Sequence, residues 1–139
     1  MSASDPVVVV TQLLEFTNAH DVEGIVSCFA SDYRSEQPLH PNRAFVGNEQ
    51  VRRNWTQILS LVPDLHSESI RLFSDGDVVW NEFEHSGTRP DGTPHLMRGV
   101  NIFGVEDGLI AWGRLYMAPV ENESGGNSEA IGRIAGANS

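Results

Sequence analysis

The chain has 139 residues, 40% of them apolar, with nineteen acidic against nine basic side chains and a formal net charge of −10. That length holds one domain with a core rather than two. The charge argues against nucleic acid and anionic membranes as partners, since both need a cationic surface.

The N-terminus, with Ser4, Asp5 and Pro6, reads as neither a signal nor a transit peptide, so a cytoplasmic location is expected. No apolar run approaches the ~20 residues of a membrane span. Asp5 caps a first helix with Pro6 at its first position, and Val10, Leu13, Leu14 and Thr17 recur at helical spacing. Asp21 caps a short second helix carrying Ile25, Val26 and Phe29. The lone cysteine, Cys28, sits among those residues and reads as a small core side chain; alone, it excludes an internal disulfide and cysteine-rich metal sites. All nine basic residues are arginine, which removes Schiff-base chemistry, lysine-anchored pyridoxal and the P-loop.

From Tyr33 to Phe45 a short strand leads into a loop bearing Pro38 and Pro41. A third helix runs from about Gly47 to Leu61, with Val51, Trp55, Ile58 and Leu59 on one stripe, and Pro63 ends it. Beyond Asp64 the texture changes to alternating strands over roughly 65–74, 77–88, 93–105 and 109–118. Turn signals Asp75-Gly76, Pro90-Asp91-Gly92 and Glu106-Asp107-Gly108 separate them. The order predicts an α+β fold in which three N-terminal helices pack in the concave face of a curved, mostly antiparallel sheet. Residues 1–118 form that domain, and the Gly-, Ser- and Asn-rich stretch 119–139 is expected to be a flexible tail.

Turn lengths assign side chains to faces. One register puts Arg71, Phe73, Trp80, Glu82, Glu84, Met97, Asn101, Phe103, Gly113, Leu115 and Met117 on one face, read as the pocket. The other face then holds Val79, Phe83, His85, Arg98, Val100, Ile102, Trp112, Arg114 and Tyr116, apolar enough to be a dimer surface. A one-residue slip in one hairpin would exchange the two.

The segments Asn18-Ala19-His20-Asp21 to Tyr33, Phe45-Val46-Gly47 to Val51, and Val100-Asn101-Ile102-Phe103 to Ile110 resemble SnoaL-like proteins of the nuclear transport factor 2-like superfamily. The resemblance covers roughly residues 7–120 and implies a cone-shaped α+β barrel with its active site inside. It also implies three known carboxylate arrangements. Ketosteroid isomerases place a base before the loop proline, where this chain has Gln37 with Glu36 one residue earlier. SnoaL-type cyclases place an aspartate where Asn101 stands. Limonene-epoxide-hydrolase-like members place charged groups at the positions of Glu82, Glu84 and Leu115. None of the three is intact.

The candidate catalytic groups are therefore Glu36, His40, Glu82, Glu84 and Asn101. Two glutamates two apart on a strand share a face, and burial would raise the pKa of one of them. Glu36 stands at the cone mouth, His40 could relay a proton, and Asn101 could donate to an oxyanion. Tyr33, Trp55, Trp80, Met97, Phe103 and Leu115 are the expected substrate wall. His85 and His95 flank one hairpin beside Glu84, but with neither an i, i+4 pair nor a third histidine nearby no metal is expected, and no cofactor either. The expected partners are a small apolar molecule and a second copy of the chain. Three functions stay open: a cofactor-free acid–base isomerase or cyclase, an epoxide hydrolase, and a non-catalytic binding or dimerisation module.

Overall fold

The computed structural model describes residues 5–121 and 124–137. Helix α1 is Pro6–Asn18, and Asp5 caps it as the sequence predicts, its Oδ1 accepting from the Val7 amide at 2.9 Å. Helix α2 is Val22–Ser27, capped by Asp21, whose Oδ1 accepts from the Gly24 amide at 2.9 Å. Both carboxylates serve amide groups that the helix itself leaves unpaired. Strand β1 (Phe29–Glu36) begins at once, so Phe29 belongs to the sheet rather than to α2. After a single 3₁₀ turn at Pro41–Arg43 come β2 (Phe45–Val46) and α3 (Asn48–Leu61).

Four long strands follow: β3 (His66–Asp75), β4 (Val78–Thr88), β5 (Pro94–Glu106) and β6 (Leu109–Pro119). They join β1 and β2 in one six-stranded sheet of order β2-β1-β6-β5-β4-β3, antiparallel except where β1 runs parallel to β6. Asp107 and Gly108 both lie at positive φ (52° and 77°), the backbone that a two-residue hairpin between Glu106 and Leu109 requires. Within the stretch read as a tail, Asn127–Ala137 forms a further helix, α4. The fold is α+β, and the described residues hold four helices, α1 to α3 ahead of the long strands and α4 after them. No helix among the described residues is long and apolar enough to cross a membrane.

The sheet curves around the helices. Helix α1 packs on β3, β4 and β5, and α3 packs on β1. A reciprocal pair of bonds holds α1 in place: Asn18 Nδ2 donates to the Ser67 carbonyl at 2.9 Å, and the Ser67 amide donates to Asn18 Oδ1 at 2.7 Å. The core runs from Val9, Val10, Ile25 and Val26 through Phe29 and Tyr33 to Val79, Phe103, Val105 and Ile110. Cys28 is buried in it, and desolvation pushes its thiol up to about 11, as suits an inert core residue.

The register of β4 differs from the one read above. Asn81 lies opposite Asn101, Phe83 opposite Gly99 and His85 opposite Met97. The β4–β5 loop decides this. Residues 89–93 form a five-residue loop closed by the Arg89 amide donating to the Thr93 carbonyl at 2.9 Å, and Thr88 then faces Pro94. That parity turns Val79, Asn81, Phe83 and His85 inward. It turns Trp80, Glu82 and Glu84 outward, the reverse of the expected arrangement. Burial agrees: Val79 and Phe83 are 0% and 1% exposed, whereas Trp80 is 39% exposed and stacks on the equally external Phe73. Arg71, opposite Glu82, is also on the outside. The β5–β6 half keeps its expected faces, with Met97, Asn101, Phe103, Gly113, Leu115 and Met117 inward, Asn101 pairing with Leu115 and Phe103 with Gly113.

Candidate functional site

Between the sheet and the helices lies a cavity of about 430 Å³, within the size range of small-molecule sites. Helix α1 contributes Val10, Leu13, Leu14 and Thr17, and α3 contributes Val51, Asn54, Trp55 and Ile58. Tyr33, Ser35, Phe45, Asn81, Phe83, His85, His95, Met97, Asn101, Phe103, Leu115 and Met117 complete most of the wall. The lining is apolar, with hydroxyls, amides and imidazoles set into it. Among the described residues it has no carboxylate and no guanidinium.

The candidates from sequence divide sharply. Tyr33, Trp55, Met97, Asn101, Phe103 and Leu115 all reach the cavity; Trp80 does not. Glu82 is exposed on the outer face. Glu84 is outside too, its Oε2 accepting from Arg98 Nε at 2.8 Å. Glu36 points outward to Arg114 at 3.3 Å, with 60% of its side chain exposed. His40 is exposed ahead of the 3₁₀ turn. Strand pleating explains the first two: the register that buries Phe83 puts its even-numbered neighbours in water. Glu36 follows Ser35, which is buried and inward, so it takes the opposite side of β1.

The groups that replace them are neutral. Gln37, the residue before the loop proline, lines the cavity, as do Asn101 and Leu115. These are the positions at which the resemblance led us to look for a base, a cyclase aspartate and a hydrolase aspartate, and none carries a charge. Tyr33 is buried and its phenol is pushed up to about 12 by desolvation, against a smaller opposing effect of Ser35. Its hydroxyl passes over Gly113, where a Cβ would lie 2.5 Å from that oxygen, so a glycine is needed for the phenol to lie there. His85 packs against Phe83 and edge-on to Trp55, with ring centroids 4.6 and 5.8 Å away. Burial, helped by the nearby His95, lowers it to about 4, so its imidazole is neutral at pH 7. His95 is lowered as well, first by desolvation and then by the Arg89 guanidinium 3.4 Å from its Nδ1.

Asn81 is a cavity group that the sequence reading does not offer; His85 enters by the one-residue slip allowed for above, and His95, considered there as a metal ligand, joins it on the wall. Their signal is the alternation Asn81-x-Phe83-x-His85, which is readable only once the loop fixes its parity. Among the described residues no group of three or more His, Cys, Asp or Glu side chains is placed to hold a metal.

Residues 10–112 match the SnoaL-like domain family. The chain belongs to that family. No functionally curated protein matches it, but solved structures of the nuclear transport factor 2-like fold do. AclR from Streptomyces galilaeus, a proposed hydroxylase, superposes with a TM-score of 0.73 at 15% identity, covering 98% of this chain and 95% of that one. IdmH from Streptomyces antibioticus, a proposed polyketide cyclase, gives 0.71 at 21% identity over 81% of this chain and 91% of its own. A Mycobacterium tuberculosis protein in complex with estradiol-17beta-hemisuccinate also gives 0.71, at 20% identity, covering 85% and 99%. At such identities these likenesses speak to the fold. As a SnoaL-like domain this chain keeps the cone, and no described residue lines it with a carboxylate.

Proposed function

We propose that this SnoaL-like domain binds a small, uncharged, largely apolar molecule in its cone. The observation that carries the reading is the lining itself. In a chain of formal net charge −10, the described residues give a cavity of about 430 Å³ only amides, hydroxyls, a phenol, an indole and two imidazoles as side-chain polar groups. A charged ligand would lose its hydration there without gaining a counter-ion, which costs several kcal/mol. That structural neighbours were solved with trimethylamine and with estradiol-17beta-hemisuccinate supports a small-molecule occupant.

The test compares biphenyl with biphenyl-4-carboxylate at pH 7 by equilibrium binding. The uncharged arene is expected to bind at least tenfold more tightly, and Glu82→Gln and Glu84→Gln to leave that affinity unchanged. Equal binding of the carboxylate, or loss of binding in either variant, would overturn the reading.

An isomerase or cyclase acting on such a ligand would draw its proton carriers from His85 and His95, because Glu36, Glu82 and Glu84 stand outside the cavity. Epoxide hydrolysis through a carboxylate-held water finds no counterpart among the described lining residues. The outer sheet face, where Ile70, Phe73 and Trp80 are exposed, supports association with a second copy. Sedimentation equilibrium should then give twice the mass of 15.3 kDa; a monomer at tens of micromolar would dismiss it.

A further inference from the structure

Polar side chains line the cavity on several elements, Ser35, Gln37 and Asn54 among them, but those on β4 and β5 fall into two groups. Asn81 and Asn101 are directly opposed across β4 and β5, and both side chains reach the cavity. The Asn81 amide is oriented from behind: Ser69 Oγ donates to its Oδ1 at 2.5 Å, which leaves Nδ2 to donate elsewhere. Asn101 Oδ1 is buried and has no hydrogen-bond partner. A buried acceptor left unpaired costs about 1–3 kcal/mol, so a ligand group that donates to it restores that loss. Donor and acceptor side by side suit a hydroxyl, which can both give and take a hydrogen bond.

Four residues further along β4 stands His85, and His95 lies diagonally across from it, one strand over. Both line the cavity, and no described residue hydrogen-bonds the His85 ring. Four residues of strand span about 13 Å, and the concave sheet brings the side-chain tips closer than that. Between the two polar positions the wall is Phe83 with the Trp55 edge near its far end. A neutral imidazole again offers one donor and one acceptor.

From this placement we infer that the β4–β5 wall of the cone has two polar poles, Asn81–Asn101 and His85–His95, and that the cavity takes an elongated, uncharged molecule with a hydroxyl at each end. The inference rests on the cavity being the binding site and names the ligand class it selects. The apolar middle of the ligand covers Phe83 and Trp55, and its two oxygens settle on the amide pair and the imidazole pair. A ligand with a single hydroxyl leaves one pole unpaired.

Biphenyl, 4-phenylphenol and 4,4′-biphenol make a ladder of none, one and two terminal hydroxyls on one rigid frame. For the wild-type chain we expect affinity to rise about fivefold at each step, the size of one net hydrogen bond. In His85→Phe the second step should vanish while the first survives on the amide pair, and in Asn101→Leu the same should hold with the imidazole pole. The double substitution should bind all three equally. If all three bind the wild type with one affinity, or if biphenol gains nothing over phenylphenol, the two-pole inference is wrong although the cavity still binds. If none of the three binds, the cavity reading itself fails. Because the wild-type ladder alone decides between these, poor folding of a variant does not shelter the inference.

Discussion

Phe83→Ala is expected to lower the free energy of unfolding by about 3 kcal/mol, the lower end of the range for a buried phenylalanine. Phe83 is 1% exposed and is the largest of the fully buried side chains. It sits on the inner face of β4, between Asn81 and His85, and packs on the His85 ring at 4.6 Å. Its removal loses the transfer free energy of a benzyl group together with its dispersion contacts. The new space opens into the existing cavity of about 430 Å³, where water can enter, and this places the expected cost at the low end. For a domain with about 5–15 kcal/mol of stability, such a loss is a large fraction. Urea denaturation should show the midpoint falling with an unchanged slope. Trp80→Ala on the outer face, 39% exposed, serves as the comparison and should cost the monomer much less. If the two costs were reversed, β4 would have to face the other way.

Acid should destabilise the fold through His85. The folded chain holds this imidazole down to about 4 against an ordinary value of 6.5, because burial disfavours the cation and His95 adds to it. Below pH 6.5 the unfolded chain therefore takes up a proton that the folded chain refuses. Stability is unpenalised above that point, falls as pH drops toward 4 and then levels off, with a total loss of about 3 kcal/mol. Other groups titrate in the same window, so the informative quantity is a difference between proteins. Between pH 7 and pH 4.5 the wild type should lose about 2 kcal/mol more than His85→Phe, which has no proton to bind there. The charged group nearest this pair is Arg89, beside His95, while Glu84 and Arg98 pair with each other on the outside. Equal losses in the two proteins would mean that His85 is solvated and does not face the cavity interior.

Much of this molecule was legible residue by residue. Helix starts are local events: a carboxylate next to free amide groups is enough, and Asp5 and Asp21 cap where their positions predict. Gly-containing turns divided the C-terminal half into four strands, since few other residues accept positive φ, and the observed strands fall within about a residue or two of the expected ones. The cone and the family also followed, because the quoted segments carry the turns and core positions that build it.

The chemistry of the site was not legible in this way, and the reason is a matter of parity. Strand β4 carries bulky apolar groups on both of its alternations, Val79 and Phe83 on one and Trp80 on the other, so its hydrophobic pattern selects neither face. The choice fell to the five-residue loop at 89–93 and to the competition between Phe83 and Trp80 for the interior. One residue of register exchanged a pair of glutamates for an asparagine and a histidine. Sequence alone therefore determined the three N-terminal helices, the four long strands and their order, though not β2 or α4. Only tertiary packing decided that the interior of the cone is neutral, because side-chain direction on a strand reverses at every residue and is set by the partner strands.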